Sequence, residues 1–454
     1  MPDAQKLSAG ITSDAGHRKV LVVANSFPAS GGSRIDKFVS LLPEFGFEPV
    51  VLSAKECDSP AQQELKQRYY PDTLKSFHAR SIGWSYFTER FLMRGPRSRH
   101  YRLLQLLSFP ERSLLVPDYM VRWIPHGIRM AKEIVKREGI QVILTSSPHE
   151  STHLIGMSLK NSLGIPWVAD FRDLWIEKTL LYRPATRLHD IWIRRLERKV
   201  FHTADFVIAN TPENADRYRQ RFRLPEEKLE VIPNGFDRND LNPEYQPRLT
   251  AGVFRIGYAG ALDKHEFPWR AALDALEMLA EDVGRDKVCL VHCGYLSEQV
   301  LDYLQAHKLE DLVEIHGTLP HSDAVTLTAS TDIRLLLLYE TAYSSSIVPM
   351  KLYNYLIMNG PILALAPESG VTASIIAKTR MGCIISPRRG IETIYRQLLE
   401  YYQAWLDGCL SVNPDDAEIQ RYDRHAQTGR LAEILTAVAG HRKQDQREVN
   451  THHE

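Results

Sequence analysis

The chain has 454 residues, 44% hydrophobic and 25% charged, which places it among globular proteins and excludes a disordered or fibrous chain. That length exceeds one ordinary core, so two compact domains are expected. Basic and acidic residues number 56 each, leaving no net field to gather nucleic acid. The five cysteines, Cys57, Cys289, Cys293, Cys383 and Cys409, are odd in number and widely spread, as in the reduced thiols of a cytosolic protein. His292 lies between Cys289 and Cys293, but the run reads as a buried strand whose alternation turns the histidine from the cysteine face, so no metal site is expected. No run approaches the roughly 20 apolar residues that cross a bilayer.

In chain order, a polar tail over 1–17 precedes Lys19-Val-Leu-Val-Val-Ala-Asn25, the apolar run of a first buried parallel strand. A turn-rich loop through Gly31, Gly32 and Ser33, a helical stretch to Leu42 and a strand at Pro49–Leu52 complete a βαβ opening. Further strands are expected at Gln141–Thr145, Trp167–Asp170, Phe206–Asn210 and Leu229–Ile232, alternating with helices, which makes 18–238 a doubly wound α/β domain. A polar linker with Pro243 and Pro247 occupies 239–250. A second α/β domain follows over 251–410, with strands opening at Arg255 and at Val288–His292, Val313–His316, Ile333–Leu338 and Ile362–Leu365. Glu392–Leu406 and Ala417–Val438 read as helices. The last of these, in the 411–440 segment, is a candidate to return to the first domain before a tail over 441–454.

The stretch from Gly83 to Arg129 breaks the alternation, mixing Arg90, Arg94, Arg97, Arg99, Arg102 and Arg112 with Trp84, Phe87, Phe91, Leu92 and Phe109. Two readings stand: a basic amphipathic surface for anionic lipid or a lipid-linked acceptor, or a helical insertion packed on its own domain with the arginines in water.

Five segments, in this order, carry a family resemblance: Pro148–Lys160, Ile165–Trp175, Ala204–Thr211, Val231–Asp237 and Val348-Pro-Met-Lys-Leu-Tyr-Asn-Tyr-Leu356. Together they resemble the signature segments of family-4 type glycosyltransferases. The resemblance implies a GT-B architecture, two Rossmann-like doubly wound parallel-sheet domains with the donor cleft between them. It further implies transfer of a sugar from a nucleotide diphosphate sugar, UDP- or GDP-linked, with retention and without a metal or other cofactor. The chain lacks the Asp-x-Asp run that holds a divalent cation in the other major transferase architecture.

Glycosyl phosphate cleavage leaves negative charge on the diphosphate, so fixed cations and amide dipoles are required beside it. By the resemblance Lys351, in the Val-Pro-x-Lys form, is the first candidate, with amides of the helix after Ser346, Ile347 and Val348 alongside. The family commonly has an arginine directly after Gly260; here Ala261 stands there, and Lys264 or Arg270 can supply the second cation. The family's paired glutamates, seven residues apart, match Ser346 and Asn354, which hydrogen-bond without bringing a carboxylate; Glu340 lies nearby in sequence. His149 matches a histidine that contacts the donor sugar, with His153 its competitor one turn on. Gly31, Gly32 and Ser33 form the loop where the first strand meets ligand, and no G-x-G-x-x-G is present. Leu319 is the expected platform for the nucleotide base, and Asp170, Arg172 and Asp173 shape the acceptor side or form a structural network.

The expected function is glycan synthesis on a glycan or lipid-linked acceptor, as in polysaccharide biosynthesis, by a cytoplasmic enzyme of the hexosyltransferase type, with peripheral membrane contact and no nucleic acid partner. Two alternatives remain. A sugar-nucleotide epimerase uses the same double fold but needs acid/base carboxylates; a non-catalytic GT-B scaffold fits Ser346 and Asn354, since fold does not fix function.

Overall fold

The computed structural model describes residues 17–28, 33–55, 70–71, 73–79, 116–176, 186–247, 249, 251–262, 268–340 and 344–451. Its chain divides into two compact units, one made of 1–210, 215–231 and 428–454, the other of 211–214 and 232–427.

The first unit is built on seven parallel strands: β1 (Arg18–Ser26), β2 (Phe47–Lys55), β3 (Lys75–His78), β4 (Val142–Ser146), β5 (Trp167–Phe171), β6 (Phe206–Ala209) and β7 (Leu229–Val231), in the order β3-β2-β1-β4-β5-β6-β7. β1 is central because Val20 to Val23 are apolar on both faces and all are buried, as a strand covered on two sides requires. Among the described residues the sheet is accompanied by helices α1 (Arg34–Leu41), α2 (Ile124–Glu138), α3 (Ser151–Leu163), α4 (Arg187–Thr203) and α5 (Pro212–Phe222). The core includes Trp123, Ile155 and Trp167, with Phe171, Phe201, Tyr218 and Phe222 in successive ring contacts at 4.4–6.3 Å. Gly156 is required here: a Cβ would lie 2.4 Å from the Trp167 indole nitrogen. The 83–129 insertion lies largely outside the described residues, which resume at Val116.

The second unit repeats the plan with six parallel strands: β8 (Phe254–Ala259), β9 (Val288–Cys293), β10 (Val313–Ile315), β11 (Ile333–Leu337), β12 (Ile362–Leu365) and β13 (Gly382–Ile385), ordered β10-β9-β8-β11-β12-β13. Its helices are α6 (Trp269–Val283), α7 (Glu298–Ala306), α8 (His321–Ala329), α9 (Met350–Tyr355), α10 (Val371–Thr379), α11 (Ile391–Leu406) and α12 (Asp416–Gln420). The two doubly wound sheets expected from sequence are therefore present. The expected helix 417–438 is broken at Arg421–Asp423, where the Asp423 carboxylate accepts from the His425 amide at 2.8 Å and caps α13 (Arg424–Thr451). From Thr428 on, α13 belongs to the first unit: Arg430 grips Glu230 with two 2.6 Å bonds, and Gly429 lets the Phe45 ring close to 3.0 Å of where a Cβ would sit.

In each sheet the strand order reverses at one place, between β1 and β4 and between β8 and β11. In doubly wound sheets such a reversal is where the carboxyl ends of the strands take ligand.

Candidate functional site

At the reversal in the second unit stands Lys351. It lies on the first turn of α9, whose entry is set by Pro349, and its Nζ lies 3.7 Å from the centroid of the Tyr258 ring on β8. Gly260 closes β8 with φ 133°, a conformation open to glycine, and a Cβ on it would come within 2.7 Å of the Lys351 ammonium. Burial pushes the Lys351 ammonium down from 10.5 to about 7, and no carboxylate among the described residues pairs with it. A cation held under an aromatic ring without a counter-ion, beside bare backbone, is a group awaiting an anion.

Beneath it, His292 fixes the loop. The ring is fully buried, stacks on Tyr258 at 5.9 Å, and its Nε2 donates to the Gly260 carbonyl at 3.0 Å, while Nδ1 has no partner. Burial lowers its pKa from 6.5 to about 4, with nearby Lys351 adding to the drop, so the imidazole is neutral and carries its hydrogen on Nε2. The loops after the strands are laced together: the Gly260 amide donates to Cys293 at 2.8 Å and the Gly294 amide to Gly317 at 2.7 Å. Cys293 is buried, its sulfur 3.9–4.0 Å from the Ala324 and Tyr258 carbonyls, and burial raises its thiol pKa. Among the described residues no group of three or more His, Cys, Asp or Glu is placed to hold a metal ion.

The other second-unit candidates distribute unevenly. Ser346, Ile347 and Val348 are partly exposed on the approach to α9; Thr372 Oγ1 donates to the Ile347 carbonyl at 2.7 Å, and Gly370 lets that loop pass so closely that a Cβ would meet the Ser345 backbone at 2.5 Å. Asn354 follows Lys351 by three residues and is partly exposed. Leu319, just after Gly317, is partly buried against Val291, Cys293 and Leu327, which leaves part of its surface outward. Arg270 is exposed and stacks its guanidinium on Trp269 and Tyr303 at 4.6 and 5.6 Å, so aromatic packing accounts for it. Glu340 accepts from Ser386 Oγ at 2.5 Å and pairs with Arg388, so its carboxylate already has partners within its own unit. Lys264 lies outside the described residues.

In the first unit, the reversal is closed by a buried ion pair. Asp170, at the end of β5, is fully buried; its carboxylate takes the Arg34 guanidinium at 2.9 and 3.2 Å and the Ser146 hydroxyl at 2.7 Å. Of the two readings of Asp170, these contacts favour the structural network: three donors occupy its carboxylate, and Arg34, fully buried itself, depends on it. Asp173 is exposed and Arg172 partly so, with its Nε buried. Ser33 forms a capping box with Asp36, its amide and hydroxyl both on Oδ2 at 2.8 and 2.7 Å; Gly31 and Gly32 lie outside the described residues. His149 follows β4 and is partly exposed, whereas His153 is fully buried, bonded through Nδ1 to Thr145 at 2.8 Å and stacked 4.2 Å from Phe171. That separates the two histidines: His153 is core, and His149 faces outward.

Sequence reading missed Asp118. Its two oxygens accept from the Met120 and Ser151 amides, both at 2.8 Å, so one carboxylate secures the turn directly after His149. Burial, reinforced by Glu150, raises its pKa to about 7.

Residues 34–240 match Glycosyltransferase Family 4. Comparison with curated protein sequences finds no match. Among solved structures, a glycosyltransferase from Rickettsia africae aligns with TM-score 0.61 at 12% identity over 93% of this chain and 99% of its own. The lipopolysaccharide outer core galactosyltransferase WaaB aligns at 0.55 and 12% over 92% and 99%. A UDP-N-acetylglucosamine 2-epimerase aligns at 0.55 and 12% over 94% and 98%. The chain thus has the GT-B fold, and its residues 34–240 resemble Glycosyltransferase Family 4.

Proposed function

We propose that the chain transfers a hexosyl unit from a UDP- or GDP-linked sugar to a glycan or lipid-linked acceptor in polysaccharide biosynthesis, on the cytoplasmic side, with retention and without metal. The observation that carries this reading is the unpaired Lys351 ammonium on the bare α-carbon of Gly260, at the strand reversal of the second unit. In the reaction, the bond from sugar C1 to the β-phosphate oxygen breaks and the acceptor hydroxyl oxygen bonds C1 from the same face. The acceptor proton passes to the departing phosphate oxygen. Lys351 stabilises the charge gathering on that oxygen, which lowers the barrier because the cation is fixed before the bond breaks. Leu319 supports the base, Ser346 and Asn354 offer neutral hydrogen bonds to sugar and ribose, and His149 meets the donor sugar.

A thermal-shift panel of UDP, GDP, ADP and their common sugars, followed by product analysis, tests this. Stabilisation by one nucleotide family, lost in Lys351→Ala, supports the donor assignment, since a ligand bound to the folded state raises its stability by mass action. Ser346 and Asn354 favour one other reading, a non-catalytic GT-B scaffold, which predicts nucleotide binding without turnover. Isomerised donor released without acceptor would identify an epimerase.

A further inference from the structure

One helix of the first unit, α4, carries none of the candidate sugar-transfer residues. Helix α4 buries Ile193, Val200 and Phe201, and its inward Glu197, fully buried, pairs with Arg221 at 2.7 Å. Its outward side is unusual: Leu188 is 71%, Ile191 43% and Trp192 64% exposed. These are all the exposed large apolar side chains of the first unit among its described residues; the six others are scattered through the second. At about 100° per residue, Leu188, Ile191 and Trp192 share one arc of the helix, roughly 100° wide. The same outward stripe continues as Arg195 and Lys199, flanked by Arg187, Arg194 and Arg198, all exposed. The acid beside them is Asp190, partly exposed and paired with Arg194 at 2.7 Å.

We infer that the outward face of α4 docks on an anionic lipid bilayer. A protein partner would need a shaped counter-surface; a bilayer needs what this face supplies, a short apolar wedge with a tryptophan at its edge and cations standing beside it. Apolar residues occupy the first two turns and the cationic stripe the next two, so the helix enters obliquely, amino-terminal end first, with its arginines and Lys199 on the phosphates. The apolar wedge alone is too small to hold the protein to neutral lipid, which makes the binding depend on lipid charge and on salt. The 83–115 segment is not needed for it, and the inference stands apart from the sugar-transfer reading.

Full-length protein is sedimented with vesicles of phosphatidylcholine alone and of equal phosphatidylcholine and phosphatidylglycerol. Binding is expected only with the anionic lipid, falling as salt rises. Arg195→Glu with Lys199→Glu lowers the partition coefficient by more than about tenfold, two charges at about 1 kcal/mol each being removed and reversed. Leu188→Ser with Trp192→Ser weakens binding while leaving its salt dependence, and neither pair shifts the melting temperature because all four positions are exposed. Equal binding of variants and wild type would overturn the proposal, as would wild type that ignores lipid charge or fails to sediment. So would a dimer in analytical ultracentrifugation that Leu188→Ser with Trp192→Ser turns into monomer.

Discussion

If Lys351 waits for a diphosphate, donor binding must be coupled to proton uptake. Unliganded, its pKa of about 7 leaves the amine about nine-tenths neutral at pH 8. Two phosphate charges brought to about 4 Å contribute on the order of 4 kcal/mol each at an effective dielectric of 20, or about three pKa units apiece, which restores the ammonium fully. Binding at pH 8 therefore takes up roughly 0.9 proton, and at pH 6, where the amine is already about nine-tenths charged, roughly 0.1. A nucleotide diphosphate sugar is the right ligand because its phosphates do not titrate in this range. Isothermal titration in buffers of different ionisation enthalpy reads the proton number directly. The same burial sets a stability cost: the unfolded chain binds the proton more tightly from about pH 7 to 10.5, so stability rises with pH across that window. Lys351→Met should raise the melting temperature at pH 7 while abolishing donor binding. Tight binding at pH 8 with enthalpies independent of buffer would refute the reasoning.

Further outcomes follow from the same geometry. Gly260→Ala should weaken nucleotide binding at least about tenfold and lower stability by about 1–3 kcal/mol, since φ 133° excludes a side chain and its methyl displaces the Lys351 ammonium; titration and melting report both. His292 is held neutral with its pKa near 4, against 6.5 unfolded, so the unfolded chain binds the proton more tightly and stability falls as pH drops through that window; His292→Gln should flatten this slope in acid melts. Asp170→Asn leaves Arg34 charged and buried without its carboxylate, at a cost of about 3–5 kcal/mol in denaturant unfolding. Glu340→Gln should leave nucleotide affinity unchanged, because that carboxylate already serves Arg388 and Ser386; a loss of binding would return it to the donor site.

The buried strands were the most legible part of the sequence. Ile362–Leu365 is found at the expected residues, and the central strands differ from expectation by one to three residues, because short continuous apolar runs bounded by turn residues suit a sheet covered on both faces. The two strands that sequence reading missed, β3 (Lys75–His78) and β13 (Gly382–Ile385), are four-residue edge strands, paired on one side and partly exposed, where the apolar signal fades. Of the site, the position of Lys351 could be read from Val-Pro-x-Lys, but its ring partner Tyr258 lies 93 residues earlier in sequence and only the folded sheet joins them. The role of Asp170 was illegible for the same reason: Arg34, 136 residues away, decides it. His149 and His153 differ by one helical turn, and which of them meets solvent depends on Phe171 packing over the second. Asp118 left no motif at all, since its work is done on two backbone amides.

The first unit is discontinuous along the chain, and this orders its assembly. A ribosome completes all seven strands of its sheet by Val231, then makes Ile232–Gln427, nearly all of the second unit, before Thr428–Glu454 emerges. Until then Glu230 lacks Arg430, and the surface that α13 covers around Phe45, Phe206 and Leu229 stays open to water. The nascent sheet must therefore wait, exposed, through nearly two hundred further residues. Cutting the gene after Val231 would leave it waiting permanently; a fragment carrying the first sheet needs the last helix supplied in trans or fused back through a short linker.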